Sequence, residues 1–200
     1  MRLGTVRARV DARRGAGASL RAGGLAEDGG YGDAWVKLKL WRMPIWFPNT
    51  EGRRRAVRFH DVHHVLTEYP TTWRGEFEIA AWEIATGIGG RWEAWLLDLL
   101  GFACGLVVFP RSVHRAFQRG RQGTNLHFSE WNEAILARRV GEMRRRLRLD
   151  CGDVRPTLRD EAAFLFWSAA SLLAYLAASA VALLPVFLLL VVLWMRLVIS

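Results

Sequence analysis

From Ala162 to Met195 the chain carries no charged residue, a run of 34. As one straight helix this run is about 50 Å long, at ~1.5 Å per residue. A bilayer core asks for only about 20 residues. One span is therefore too long, and two are slightly short. Pro185 interrupts the run near the point where a tight hairpin turns. Basic residues flank it on both sides: Arg144, Arg145, Arg146, Arg148, Arg155 and Arg159 before, Arg196 after. Positive charge at both ends places both in the cytoplasm. The expectation is a C-terminal transmembrane helical hairpin within a hydrophobic membrane segment at 157–200. One long kinked or tilted span is the alternative.

The rest of the chain has to be read against that anchor. The formal net charge is +9, and of the 28 basic residues only Lys37 and Lys39 are lysine. Such a bias points to GC-rich coding and a bacterial source. A basic balance suits nucleic acid or an anionic membrane surface. The Arg144–Arg148 cluster has no interleaved aromatics on which bases could stack. Membrane lipid is therefore the expected partner, and nucleic acid is not. Trp41, Trp46, Trp92, Trp95, Trp167 and Trp194 lie near apolar stretches, where interface belting is natural. Cys104 and Cys151 form no CxxC pair, and Cys104 reads as a small core hydrophobe. No Gly-rich phosphate loop or nucleophile elbow is present.

Residues 1–30 are rich in Arg, Gly and Ala without an apolar period, so they read as disordered. Their basic start has no apolar core of about 7–15 residues behind it, which is unlike a secretory signal. In 31–150 the pattern is that of a helical domain, all-α apart from a short strand. Val36, Leu38 and Leu40 alternate with Lys37, Lys39 and Trp41, a period of two. Asn49 and Thr50 can cap a helix running to Tyr69. Pro70 ends it, and Thr71 or Thr72 caps a second helix to about Gly87. A third helix, Trp92 to Phe109, is apolar nearly all round, with Asp98 its one interior charge. A short basic helix opens at Pro110, and another helix covers Glu130 to Leu149.

The segment HDVHHVLTEYPTTWRGE, His60 to Glu76, holds three of the five histidines. At about 100° per residue, His60, Asp61 and His64 share an arc of roughly 100° on the first helix. His63 falls on the other flank of His60 and need not join them. His64 lies five residues before Tyr69, and Glu76 lies five after Thr71. Equal distances from the turn give equal depth in a helical hairpin, so Glu76 can face His64. Ala80 and Glu83 continue the Glu76 stripe. Glu83 could be an outer ligand, a partner orienting a ligand, or a base. Two histidines and two carboxylates suit one divalent cation such as Zn²⁺, Fe²⁺ or Mn²⁺. The plain alternative is a basic helix whose surface histidines pair with glutamates. His114 and His127 stand alone in basic surroundings and are not read as ligands.

His60-Asp61-Val62-His63-His64, eleven residues, then Glu76 is the pattern HDxxH-x11-E. It resembles the metal-site motif of the coenzyme Q biosynthesis protein 4 family, which serves ubiquinone synthesis. Leu66, Pro70, Thr71, Gly75 and Glu76 match its wording, and the Trp82–Gly87 segment is similar. The resemblance is specific from about Arg53 to Gly87 and loose from there to about Leu149. It implies a helical, membrane-bound domain with a metal-binding helical hairpin, zinc the first expectation, at His60, Asp61, His64 and Glu76. It implies an isoprenoid-binding groove, to which Trp92–Phe109 is suited. The implied function is oxidative removal of the C1 carboxyl of a polyprenylated hydroxybenzoate, or a scaffold for other quinone-biosynthesis proteins. The implied setting is the bacterial inner membrane with the domain cytoplasmic. The chain departs from the family in its strand-like segment before the motif, in Glu68 where glycine is usual, and in its apolar C-terminus. Because HD pairs also serve phosphohydrolases, a metal-dependent lipid phosphohydrolase is a further reading.

Overall fold

The computed structural model describes residues 34–40, 43–130, 138–150 and 155–199. The segment expected to be disordered, 1–30, lies outside them, as do Trp131 and Ile135 of the helix expected from Glu130. That expected helix appears in its described part only as Val140–Arg146.

Two strands precede the helices. β1 (Trp35–Leu40) pairs antiparallel with β2 (Met43–Pro48), with Lys37 opposite Trp46 and Lys39 opposite Pro44. The alternation of apolar residues predicts β1; two prolines do not predict β2. In a two-stranded ribbon every strand is an edge, where proline is tolerated. The all-α expectation is corrected to this extent, and the other regular elements among the described residues are helices.

α1 spans Glu51–Thr67, and the Thr50 hydroxyl accepts from the Arg53 N–H at its start. It ends at Glu68, which adopts φ 64°. This left-handed conformation favours glycine. Two arginines occupy the carbonyls left open there: Arg144 donates to Leu66 O at 2.9 Å and Arg119 to Thr67 O at 2.7 Å. α2 spans Trp73–Thr86 and starts at the Thr72 cap. Gly75 is obligatory, because a Cβ there would stand 1.7 Å from the Pro70 carbonyl oxygen.

α2 is the central rod of the domain, buried from Glu78 to Ala85 without a break. Small residues let its neighbours approach. α3 (Trp92–Val108) brings Gly101 against Ala80 and Gly105 against Phe77. α4 (Pro110–Arg121) brings Gly120 against Ala85 and the Trp82 backbone. One apolar cluster joins Ile84, Phe102, Val113 and Phe117. The other joins Phe59, Leu66, Ile79, Trp82 and Leu126 to Met143 of α5 (Val140–Arg146).

α6 is a single helix of 42 residues, Leu158–Ile199, with Pro185 inside it. The expected transmembrane hairpin is therefore corrected to one long helix. Proline in an apolar helix removes one hydrogen bond but does not by itself reverse the chain, and no glycine or asparagine stands beside Pro185 to make a turn. The excess length has another use. Phe164 and Trp167 pack on the domain core, Trp167 stacks on Trp95 at 5.0 Å, and Arg121 pairs with Asp160 at 3.0 Å. From Ala180 to Ile199 every residue is exposed. Most residues from Leu172 on are exposed as well, so a bilayer core of about 30 Å takes some twenty residues of the stretch from Leu172 to Ile199. One long apolar C-terminal helix of this kind is able to cross a membrane.

Candidate metal centre

The turn between α1 and α2 decides which side chains meet. The close packing of Gly75 on Pro70 folds α2 back along α1. Tyr69 O then accepts from His64 Nδ1 at 2.9 Å. A carbonyl only accepts, so the His64 proton sits on Nδ1 and its Nε2 lone pair faces inward. Nε2 lies 3.2 Å from His60 Nε2 and 3.4 Å from the Glu76 carboxylate. His60 Nε2 in turn is 3.2 Å from Glu76 Oε2. Two imidazole nitrogens and a carboxylate from two helices thus converge on one point, as the sequence spacing predicts. The point is accessible: Glu76 is 39% exposed.

Beneath it lies Glu83, buried and central. Its Oε2 receives His60 Nδ1–H at 3.1 Å, and its Oε1 receives His63 Nδ1–H at 2.5 Å. The His63 assignment follows from its far side, where the Leu126 backbone N–H donates to Nε2 at 3.0 Å. One carboxylate therefore orients two rings, in the way that carboxylates fix histidine ligands of metals. His127 Nε2 stands 3.4 Å from Glu83 Oε1, near enough for attraction but not aligned as a hydrogen bond. Asp98 completes the layer, close to His60 and Glu83.

The charges follow from these contacts. Burial opposes charge on His60, but the Glu83 and Glu76 carboxylates outweigh it and hold its pKa well above the usual range. Burial opposes charge on Glu76 too, and hydrogen bonds from His60 and His64 overcome it, taking Glu76 to about 2. Glu83 is likewise held well below the carboxylate range, against its burial, by His60 and His127. His63 goes the other way: burial lowers it to about 4 in spite of Glu83. Burial, and then the Glu83 charge, hold Asp98 well above the carboxylate range. Without a metal ion, a proton on His60 Nε2 satisfies Glu76. A divalent cation would take that proton's role, and its binding releases the proton.

Three groups of potential ligand atoms lie together among the described residues: His60, His64 and Glu76; His63, Glu83 and His127; His60, Glu83 and Asp98. The first is the one whose lone pairs are not already spoken for. His63 spends Nε2 on Leu126 and Nδ1 on Glu83, so it has no free lone pair for a metal. Both Glu83 oxygens accept from histidine protons. Asp61, the fourth expected ligand, is buried but belongs to none of the groups. It sits one residue and roughly 100° from His60 on α1. The donor set that fits a metal is thus two histidines and one carboxylate.

Sequence reasoning missed the buried layer of His63, His127 and Asp98. Asp98 did leave a signal, as the one charge inside an apolar helix. His127 left none, because only the packing of the loop after α4 on α1 brings it to Glu83. Comparison of the chain with family models, curated proteins and solved structures returned no significant match.

Proposed function

We propose that this is a membrane-anchored metal protein that acts on a membrane-soluble prenylated aromatic. The function is similar to that of the coenzyme Q biosynthesis protein 4 family in ubiquinone synthesis. The observation that carries the reading is the meeting of His60 Nε2, His64 Nε2 and Glu76 within 3.4 Å across the α1–α2 turn. The Nδ1 of each ring faces an acceptor, Glu83 or Tyr69 O, which turns each Nε2 inward.

His60, His64 and Glu76 would hold one divalent ion. Three protein donors leave positions for a substrate, as in catalytic zinc sites. Two histidines and one carboxylate are also the donor set of non-haem Fe(II) oxygenases. That donor set would suit an oxidative replacement of a ring carboxyl by hydroxyl, with dioxygen and a two-electron reductant as co-substrates and the carboxyl leaving as carbon dioxide. When bound, the ion supplies Lewis acidity toward a carboxylate or phenolic oxygen. Glu83 keeps the His60 ring fixed during this. Glu76, open to solvent, marks the side from which a head group arrives. Leu97, Gly101, Cys104 and Val108 follow one another at helical spacing on α3 and offer an apolar path for a tail. α6 supplies the anchor, and a bacterial inner membrane with the domain on the cytoplasmic side is the proposed setting.

The test is metal analysis of the full chain purified in mild detergent, beside His64→Ala and Glu76→Ala. Helix content is followed by circular dichroism. The expected result is near one equivalent of iron, zinc or manganese in wild type, lost in folded variants. Given dioxygen and a two-electron reductant, the loaded protein should then convert a polyprenylated hydroxybenzoate to its C1-hydroxyl product with release of carbon dioxide. Metal lost together with the helices favours a structural ion and a lipid-binding scaffold for quinone-synthesis enzymes. Phosphate release from prenyl phosphates favours the phosphohydrolase. No metal after reconstitution overturns the reading.

A further inference from the structure

A cleft of about 710 Å³ opens where α3, α4 and α6 meet, outside the histidine–glutamate cluster. Leu106 and Phe164 form its apolar wall, and Pro110, Arg111, His114 and Arg115 form the rest. This lining has two characters. The wall is hydrocarbon, and the rim is cationic.

Arg111 and Arg115 are exposed, and among the described residues no acidic side chain pairs with either. That distinguishes them from their neighbours. Arg119 is tied to Thr67 O, Arg121 to Asp160, and Arg144 to Glu68 and Asp150. The lining His114 is matched by the Glu161 carboxylate at 3.0 Å. α4 itself contains no acid, and its first turn has no side-chain cap. Its N-terminal end therefore adds to the positive field. Two free guanidiniums over an apolar wall complement an anion that carries a hydrocarbon chain.

The position selects the source of that anion. Phe164 belongs to α6, the apolar helix, and lies three residues past Glu161, its last acidic residue. It stands eight residues, about 12 Å, before Leu172, from where most of the helix is exposed. A headgroup layer about 5–7 Å deep, plus the length of an arginine side chain, covers most of that distance. We propose that the Leu106–Arg111–Arg115–Phe164 cleft binds one anionic phospholipid of the bilayer that α6 enters. Its phosphate lies on the two arginines and its first acyl carbons on Leu106 and Phe164. The site rests on the membrane reading of α6 and is independent of the metal.

The experiment uses the full chain, delipidated in mild detergent, with native mass spectrometry counting bound lipid. The probes are phosphatidylglycerol and phosphatidylcholine of the same chain length. The variants are Arg111→Ala/Arg115→Ala and, as a control of equal charge, Arg145→Ala/Arg146→Ala. Wild type and control should retain one phosphatidylglycerol and bind phosphatidylcholine at least tenfold more weakly. The Arg111/Arg115 variant should lose at least tenfold in phosphatidylglycerol affinity with unchanged melting temperature. Equal binding by all three proteins overturns the proposal, and so does equal binding of the two lipids. Displacement by millimolar inorganic phosphate alone also overturns it, because the site then takes a soluble anion. Flotation of wild type on pure phosphatidylcholine vesicles reads the anchor separately. Failure there refutes the membrane reading, whereas failure of lipid discrimination with intact flotation refutes only the cleft.

Discussion

The layer around Glu83 and the distal part of α6 place side chains against expectation in opposite directions. Around Glu83, five ionisable residues (His60, His63, Glu83, Asp98, His127) crowd into an interior where apolar groups belong. From Ala180 on, twenty consecutive residues, mostly large and apolar, stand where water would meet them. Each arrangement is costly by itself. Buried charge is tolerated when every atom finds a partner, and the two Glu83 oxygens find theirs on His60 and His63. Exposed hydrocarbon is tolerated when the solvent is lipid. The difference teaches that the two regions answer to different surroundings, although α6 is one continuous helix whose first third belongs to the domain.

The sharpest way to break the comparison is to remove one side of it. Truncation after Ser179 should move the protein wholly from the membrane to the soluble fraction. The melting temperature of the domain should change little, because Phe164, Trp167 and Ser171 remain. A soluble fraction unchanged by the truncation would mean that the exposed residues are not an anchor.

Glu83→Ala attacks the other side. It leaves His60 and His63 facing a buried gap without an acceptor. Removing one partner from a buried charge network costs about 3–5 kcal/mol. Thermal melts should show a loss of that order, with Glu83→Gln between the variant and wild type. A loss below about 1 kcal/mol would mean that Glu83 is not the hub.

A titration sharpens the same point. The folded His63 has a pKa lowered to about 4 by burial, against about 6.5 in an unfolded chain. As pH falls below 6.5, the unfolded state binds this proton first, so stability is lost down to about pH 4. The loss from this residue is at most about 3 kcal/mol, at 1.36 kcal/mol per unit. His60 has the opposite sign: its raised pKa contributes stability that is lost as pH rises through the folded value. Denaturant unfolding at pH 7.5 and 5, on wild type and His63→Gln, separates the two. A wild-type difference that survives in His63→Gln would assign it to another group.

The smallest expected effect is at the end of α1. Glu68→Gly relieves a left-handed conformation at φ 64° but gives up an exposed pair with Arg144 at 2.9 Å. Relief of about 1–2 kcal/mol is offset by the pair, about 0.5 kcal/mol, and by glycine's greater unfolded freedom. The net gain should be under about 1 kcal/mol in denaturant unfolding. A clear destabilisation would show that the pair with Arg144 outweighs the strain.

Much of the site was legible in the chain. His60, His64 and Glu76 follow from helical spacing and from a turn marked by Pro70 and Thr72. The order and bounds of α1 to α4 follow from caps and breakers. Asp61 shares their arc on α1 but is not among the ligand atoms that lie together. The expected membrane hairpin gives way to one helix because run length and one proline do not decide the number of spans. Part of the run is used instead on Phe102, Phe117 and Trp95 of the domain.

By itself the sequence determined the local elements and the apolar length of α6. These depend on near neighbours: capping hydroxyls, glycines at turns and the absence of charge. Tertiary structure decided which lone pairs are free. Leu126 and His127 reach α1 from over sixty residues away, and their contacts make His63 a buried support. Such contacts depend on close packing among α1, α2 and α4, through Gly120 and Gly75, and no local pattern encodes them.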